Sequence, residues 1–299
     1  MINLIRAEWF KLSRRPMAWA LLVVFVGLLV LLRSIEFLAV ALQDGAFSGG
    51  EIRMALLSEA QIEQFRRQLI FPGIFGAVFG HVNSVGGLCA IVLAAGAMGS
   101  EYSWGTLRTQ LARQPDRGRY LVAKLAALLL VLAAGIVIAL AVGALLALIF
   151  GRLLGARGAV APADLLELGP GLLRALYVIL PYLLLTVACS IVGRSVLAGA
   201  AAGFLFLMLD VGLGALSFLA QLGGPLSFLV SLVVQPNVNT LVVINSQRFG
   251  LDPAVLTRTL DLSALPSPLH ATLVIGAYSA LFFWYAYRAL ARRDIGGAA

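Results

Sequence analysis

Asp210 is the one acidic residue deep inside an apolar run, "FLFLMLDVGLGAL". A charge held in a hydrocarbon environment costs about 3 kcal/mol on insertion scales and by default marks function. Two readings follow. Asp210 serves a polar cavity or proton relay, or it lies nearer the outer membrane surface and caps a helix break before Gly212 and Gly214. The other groups with chemistry in reach are sparse. His81 and His270 are the only histidines, and no ligand spacing connects them, so both read as interfacial polar groups. Cys89 and Cys189 lie in apolar runs and form no CxxC, which leaves neither a zinc site nor a disulfide framework. GxxxxGK[ST], HExxH and GxSxG are all missing, which excludes the usual phosphate cradle, zinc hydrolase and serine hydrolase chemistries. No catalytic residue, cofactor site or metal site can be assembled.

The elements that must position these residues are membrane helices. Of 299 residues, 61% are hydrophobic and 12% charged, and the mean hydropathy is +0.97. Soluble domains carry about 25% charged residues. A span needs about 20 mostly apolar residues, and six stretches qualify: 16–42, a segment within 68–100, 120–150, 176–192, 195–220 and 269–287. The fold class expected is an all-α integral membrane protein, a single domain over residues 1–299. The first stretch mimics a secretory leader ending at Ala39-Val40-Ala41. Its basic run to Arg15, and Arg33 and Glu36 within it, mark a retained span. Arg33 and Glu36 stand three apart on one face and are expected to pair or to snorkel.

Between the fifth and sixth spans, Val211 to Gln247 holds no charge, yet Gly223-Gly224-Pro225 and Gln235-Pro236-Asn237 interrupt it. The piece between is too short to cross a bilayer. It suits a re-entrant or interfacial segment over 223–247, or a loop helix packed on the bundle. Two GxxxG patterns, Gly76 to Gly80 and Gly199 to Gly203, permit close helix approach, within one chain or between chains.

With the N-terminus inside, six spans return the C-terminus inside. The inner segments then hold 13 basic and four acidic residues, the outer loops eight of each. The net charge of +8 is therefore a topology signal. It does not call for nucleic acid, because no soluble basic domain exists to bind it. The expected location is the cell membrane, with both termini cytoplasmic. At the N-terminus Ile2, Ile5, Trp9 and Leu12 share one helical face, and Glu8, Lys11, Arg14 and Arg15 are expected to fall away from it. That pattern describes an amphipathic helix over 1–15 lying on membrane lipid.

The segment "GSEYSWGTLRTQLARQPDRGRYLVAK", Gly99 to Lys124, is the one compact charged stretch between apolar runs. Trp104, Leu107 and Leu111 recur at helical spacing, with Glu101, Arg108, Gln110 and Arg113 around them. Pro115 ends this helix, expected over 101–114, and Asp116 to Arg119 turn the chain into the third span. Such a helix lies along the membrane or docks into a groove of a cytoplasmic partner.

This segment resembles the loop after the second span in type-2 ABC exporter permeases. Glu101, Gly105, Thr106, Leu107, Arg108, Pro115, Arg117 and Lys124 match that pattern. The leader "RAEWFKLSRRPMAW" is similar to the same family's N-terminal helix through Glu8, Lys11, Leu12, Arg14, Arg15 and Trp19. The resemblance implies the membrane subunit of an ATP-driven exporter, paired with a second copy or a paralogue. ATP and Mg would bind in separate ATPase subunits, not in this chain. It implies that Glu101 to Arg113 and Ile2 to Arg15 couple to the ATPase, and that Gly223 to Gln247, with Asp210, Pro225 and Pro236, flanks an outer gate. The short outer loop Asp44 to Arg67 departs from relatives with a large extracellular domain. Two other classes share the composition: a non-transporting membrane scaffold or assembly factor, which needs no coupling helix, and a lipid-modifying enzyme, which needs a polar cluster.

Overall fold

A computed structural model describes residues 1–44, 58–113, 116–156, 158–215, 224–252, 262 and 265–292. Among the described residues the α-helices, in chain order, begin with α1 (Ile2–Ser13), α2 (Pro16–Gln43), α3 (Glu59–Leu69), α4 (Gly73–His81) and α5 (Gly87–Ser103). The chain continues through α6 (Thr106–Arg113), α7 (Arg117–Leu153), α8 (Pro162–Gly193) and α9 (Val196–Ala215). It ends with α10 (Gly224–Ser231), α11 (Val234–Arg248) and α12 (Pro268–Ala291). A π-helical turn, Val82–Gly86, joins α4 to α5, so Gly73–Ser103 is one continuous rod. No strand occurs among the described residues. In hydrocarbon every backbone polar group must find its partner within the segment, and helices do this without an edge.

Among the described residues six rods are long and apolar enough to cross a membrane: α2, α4–α5, α7, α8, α9 and α12. They coincide with the six expected stretches, with different ends. The fourth starts at Pro162 rather than near Leu176, because Arg174 pairs with Glu167 and the helix carries both charges and two internal prolines, Pro170 and Pro181. The fifth is helical to Ala215; the rest of its expected length falls among residues 216–223, outside those described.

Two rods form the centre. Over their most apolar windows α4–α5 and α8 are 61% and 67% buried, against 17–28% for the other four. Helix α5 reads "AIVLAAGAMGS" on its buried length, and its small side chains let neighbours approach closely. Helix α9 uses the same device. A Cβ at Gly199 would meet Ser190 Oγ of α8, and one at Gly203 would meet Thr186 Oγ1 of α8 and Ile91 of α5. That GxxxG pair is thus consumed by packing within the chain. The outer rods α2, α7, α9 and α12 leave large apolar side chains exposed along their length, among them Val23, Leu145, Leu205 and Leu273, as a lipid-facing surface requires.

Helix α3 has no counterpart in the sequence reading. Ser58 starts it with a capping box to Gln61. Ile62 and Leu69 pack on Val40, Leu146 and Phe150 in a second apolar cluster. Arg33 pairs with Glu36 at 2.7 Å, as expected, and also donates to Gln68 Oε1 of α3 at 2.6 Å. His81 is not an interfacial group. It is buried, its ring stacks on Phe25 in the first half of α2, and its Nε2 lies 2.9 Å from the Phe25 carbonyl.

Candidate functional site

The expected helix over 101–114 is broken in two. Glu101 sits in the last turn of α5, Trp104 ends that helix, and Gly105 turns the chain at φ +66°. Only glycine adopts that backbone readily, so the position of α6 depends on it. Residue 114 and Pro115 lie outside the described residues. Asp116 then caps α7 by accepting from the Arg119 amide at 3.0 Å.

Helix α6 is amphipathic, but its apolar stripe faces the bundle. Leu107 and Leu111 are buried in the main core, whereas Trp104 is 66% exposed together with Thr109 and Ala112. The expectation that Leu107 and Leu111 meet lipid or a partner is corrected on this point: the side available for docking is the opposite one. The side chains of Arg108 and Arg113 are outside those described.

Beneath α6 lies a cluster of charges drawn from α1, α5 and α7, to which α6 adds two neutral donors. Glu101 of α5 is fully buried. One of its carboxylate oxygens accepts from Lys11 Nζ of α1 at 2.7 Å and from Lys124 Nζ of α7 at 3.1 Å. The other accepts from Thr106 Oγ1 at 2.6 Å and Gln110 Nε2 at 2.9 Å, both on α6. Glu8 of α1 completes the ring, accepting from Lys11 at 3.0 Å and Lys124 at 3.0 Å. Lys124 also donates to the Ala97 carbonyl at 3.2 Å. Arg15 spans the edge: it donates to Ser100 Oγ at 2.7 Å and the Gly96 carbonyl at 3.2 Å, and its guanidinium lies 5.0 Å from the Trp104 ring centroid.

Glu8 was expected on the polar, outward face of the first helix, and it is instead buried beside Leu12. Burial alone would raise its pKa. The ammonium groups of Lys124 and Lys11 more than offset this and hold the carboxyl below the usual carboxylate range. Charges buried together in this way are tolerated because each carboxylate oxygen accepts at least one hydrogen bond from an ammonium or from α6. Sequence reading placed Lys124 at the edge of the third span and Glu8 on the polar face of the first helix, away from lipid. The signal that points inward is a Lys seven residues inside a long helix whose next charge is Arg152; a charge so placed requires a counterion.

The remaining expected residues are spread around this cluster and away from it. Trp9 is half-buried and Arg14 is exposed, its guanidinium over Phe10. Arg117 ties α7 to the last turn of α12 by donating to the carbonyls of Leu290 and Ala291, where the negative end of the helix dipole favours a cation.

Asp210 forms a second polar node. It is buried in α9, which continues unbroken to Ala215 past Gly212 and Gly214. Its carboxylate accepts from the Tyr182 hydroxyl of α8 and, at 3.0 Å, from the Gln235 amide in the first turn of α11. The residue before α11, Val233, has no side chain able to cap it; Asp210 supplies the cap from another helix. Pro236 is buried in that same first turn, where its missing amide costs nothing. The elbow between α10 and α11 is held by Asn237, which donates to the Ser231 and Val233 carbonyls. His270 Nε2 lies 3.0 Å from the same Ser231 carbonyl. Helix α11 packs on α4, α8, α9 and α12. Pro225 is in α10, its side chain outside those described.

Among the described residues no three His, Cys, Asp or Glu side chains are grouped as metal ligands. The geometry is that of a multi-pass helical bundle whose polar groups join helices to one another. No curated protein matches the chain. A family model described as ABC-2 family transporter protein matches residues 2–294, nearly the full length. Six membrane-length rods and a match of that extent make this chain a member of the ABC-2 transporter family.

Proposed function

We propose that this protein is the permease subunit of an ATP-driven exporter, with ATP bound and hydrolysed by separate ATPase subunits that dock on the exposed side of α6. The observation that carries this reading is the buried charge cluster beneath that helix. Thr106 and Gln110 of α6 hold one oxygen of Glu101, while α1 and α7 hold the other. A push on α6 therefore acts on α1, α5 and α7 together through short charge-assisted bonds, and α7 passes it to α12 through Arg117. In this reading Glu101, Lys11 and Lys124 position the coupling helix from below. Trp104, Thr109 and Ala112 stand on the face offered to the motor. Arg108 and Arg113 belong to the same helix, and the basic first helix anchors on the inner leaflet through Trp9 and Arg14.

The export path would run between two such permeases, a homodimer or a pair of paralogues. Asp210, with the α10–α11 elbow and Pro225 and Pro236, would form the outer gate, since there one carboxylate fixes three helices at once. Both termini would be cytoplasmic in the cell membrane.

Co-purification tests the reading. Expressed with its cognate ABC ATPase, the tagged chain is expected to retain the ATPase through affinity and size-exclusion steps. Purification of an intact permease with no nucleotide-binding subunit would favour a non-transporting scaffold.

A further inference from the structure

A cleft of about 280 Å³ opens on the side of the bundle between α1, α2, α5 and α7. Its mouth is formed by Trp9, Ser13 and Trp19, with the Trp19 indole donating to the Ser13 carbonyl at 2.8 Å. It is lined by Leu22 and Phe25 of α2, by Leu132, Gly135 and Ile136 of α7, and by Ile179 of α8. From Ala18 to Phe25 along α2 it runs about 10 Å at the helical rise per residue.

We propose that this cleft holds one acyl chain of a membrane phospholipid, with the headgroup beside the two tryptophans. Four observations point to that occupant. The walls are apolar almost throughout, and Trp19 and Ile138 on the rim are exposed to the surroundings of the bundle, which for a spanning helix are lipid. The volume lies just under the roughly 300 Å³ at which drug-sized ligand sites begin, and a length of about 10 Å takes part of one acyl chain rather than a whole amphiphile. Paired tryptophans at one end mark headgroup level, where an aromatic ring meets both water and hydrocarbon. Arg14, adjacent to Ser13 and exposed, supplies the cation that a lipid phosphate pairs with. This site is independent of any ATPase, because only membrane insertion is required.

Gly135 provides the means to test it. It lines the cleft, and a Cβ there would meet only Leu22 Cδ1, at 3.8 Å. A larger side chain fills the space without displacing backbone. The chain has four tryptophans; with Trp104→Phe and Trp284→Phe, emission reports Trp9 and Trp19 alone. The protein in nanodiscs is titrated with phosphatidylglycerol brominated on its acyl chains. A saturable quenching component is expected, reversed by unbrominated phosphatidylglycerol and weaker with phosphatidylcholine. Gly135→Leu displaces buried methylenes and is expected to weaken that component by roughly tenfold. Leu22→Phe, on α2, should do the same. Quenching that rises linearly with brominated lipid and is equal in all three proteins overturns the proposal. Emission that follows the protein-to-lipid ratio instead would assign the cleft to a second copy of the chain and equally overturn it.

Discussion

Lys124 is 1% exposed and is the shared donor to Glu8 and Glu101. Lys124→Met would leave two buried carboxylates facing only Lys11 and Arg15. Removing one partner of a buried ion cluster costs about 3–5 kcal/mol, so a loss of that size is expected in unfolding by SDS from mixed micelles. A loss under about 1 kcal/mol, the range of exposed pairs, would mean the cluster is hydrated. Glu8 adds a pH dependence of definite sign. Its folded pKa lies below the unfolded value, so its contribution is fully present above the ordinary carboxylate range. It is lost as pH falls through the lowered folded value. Hydrogen exchange in α1 is expected to quicken on acidification in that window, and Glu8→Gln should flatten the response. An unchanged acid response in that variant would show that another group controls α1.

At the scale of the element, α6 has two faces with different duties. Leu107 and Leu111 are buried; Leu107→Asp places a charge in the core and should unseat the helix, with a stability loss above about 3 kcal/mol. Thr109→Glu and Ala112→Glu lie on the exposed face, where substitutions cost about 0.5 kcal/mol or less. Under the coupling proposal the exposed pair is expected to abolish ATPase capture while thermal stability holds. Capture surviving the exposed pair would move the docking site off α6. Spacing alone identified the apolar stripe but could not say which side it served. A stripe three and four residues apart looks the same whether it packs inward or outward, and only the neighbouring rods decide. The same holds for α3. Its helix start is legible as Ser58 and Gln61, but its reason to exist is an apolar patch on α2 and α7 that no local pattern reveals.

At the scale of the molecule, α4–α5 and α8 form the centre and the other four rods surround them. The proposed orientation, with the basic surplus on the cytoplasmic side, can be checked by labelling. With Cys89 and Cys189 replaced by alanine, Trp104→Cys and Ser58→Cys are expected to react with membrane-impermeant maleimide from opposite sides, Trp104→Cys from the cytoplasm. Reaction of both from the outside would remove α6 from the reach of any cytoplasmic motor. Asp210 shows what length alone could not supply. Its apolar run was plain, but its burial and its partners were not: Tyr182 and the Gln235 amide are 28 and 25 residues away.

By itself the sequence determined the six rods, the shared face of Arg33 and Glu36 and the family pattern of Glu101 to Lys124, because hydropathy, helical spacing and cap residues are local. Tertiary structure alone decided that Glu8 turns inward, that Leu107 and Leu111 are core, and that Asp210 caps a distant helix. In each case the reason is the same. A buried polar group or an apolar stripe fixes what it needs, a counterion, a donor or a greasy neighbour, but the identity of the group that supplies it depends on which helices pack side by side.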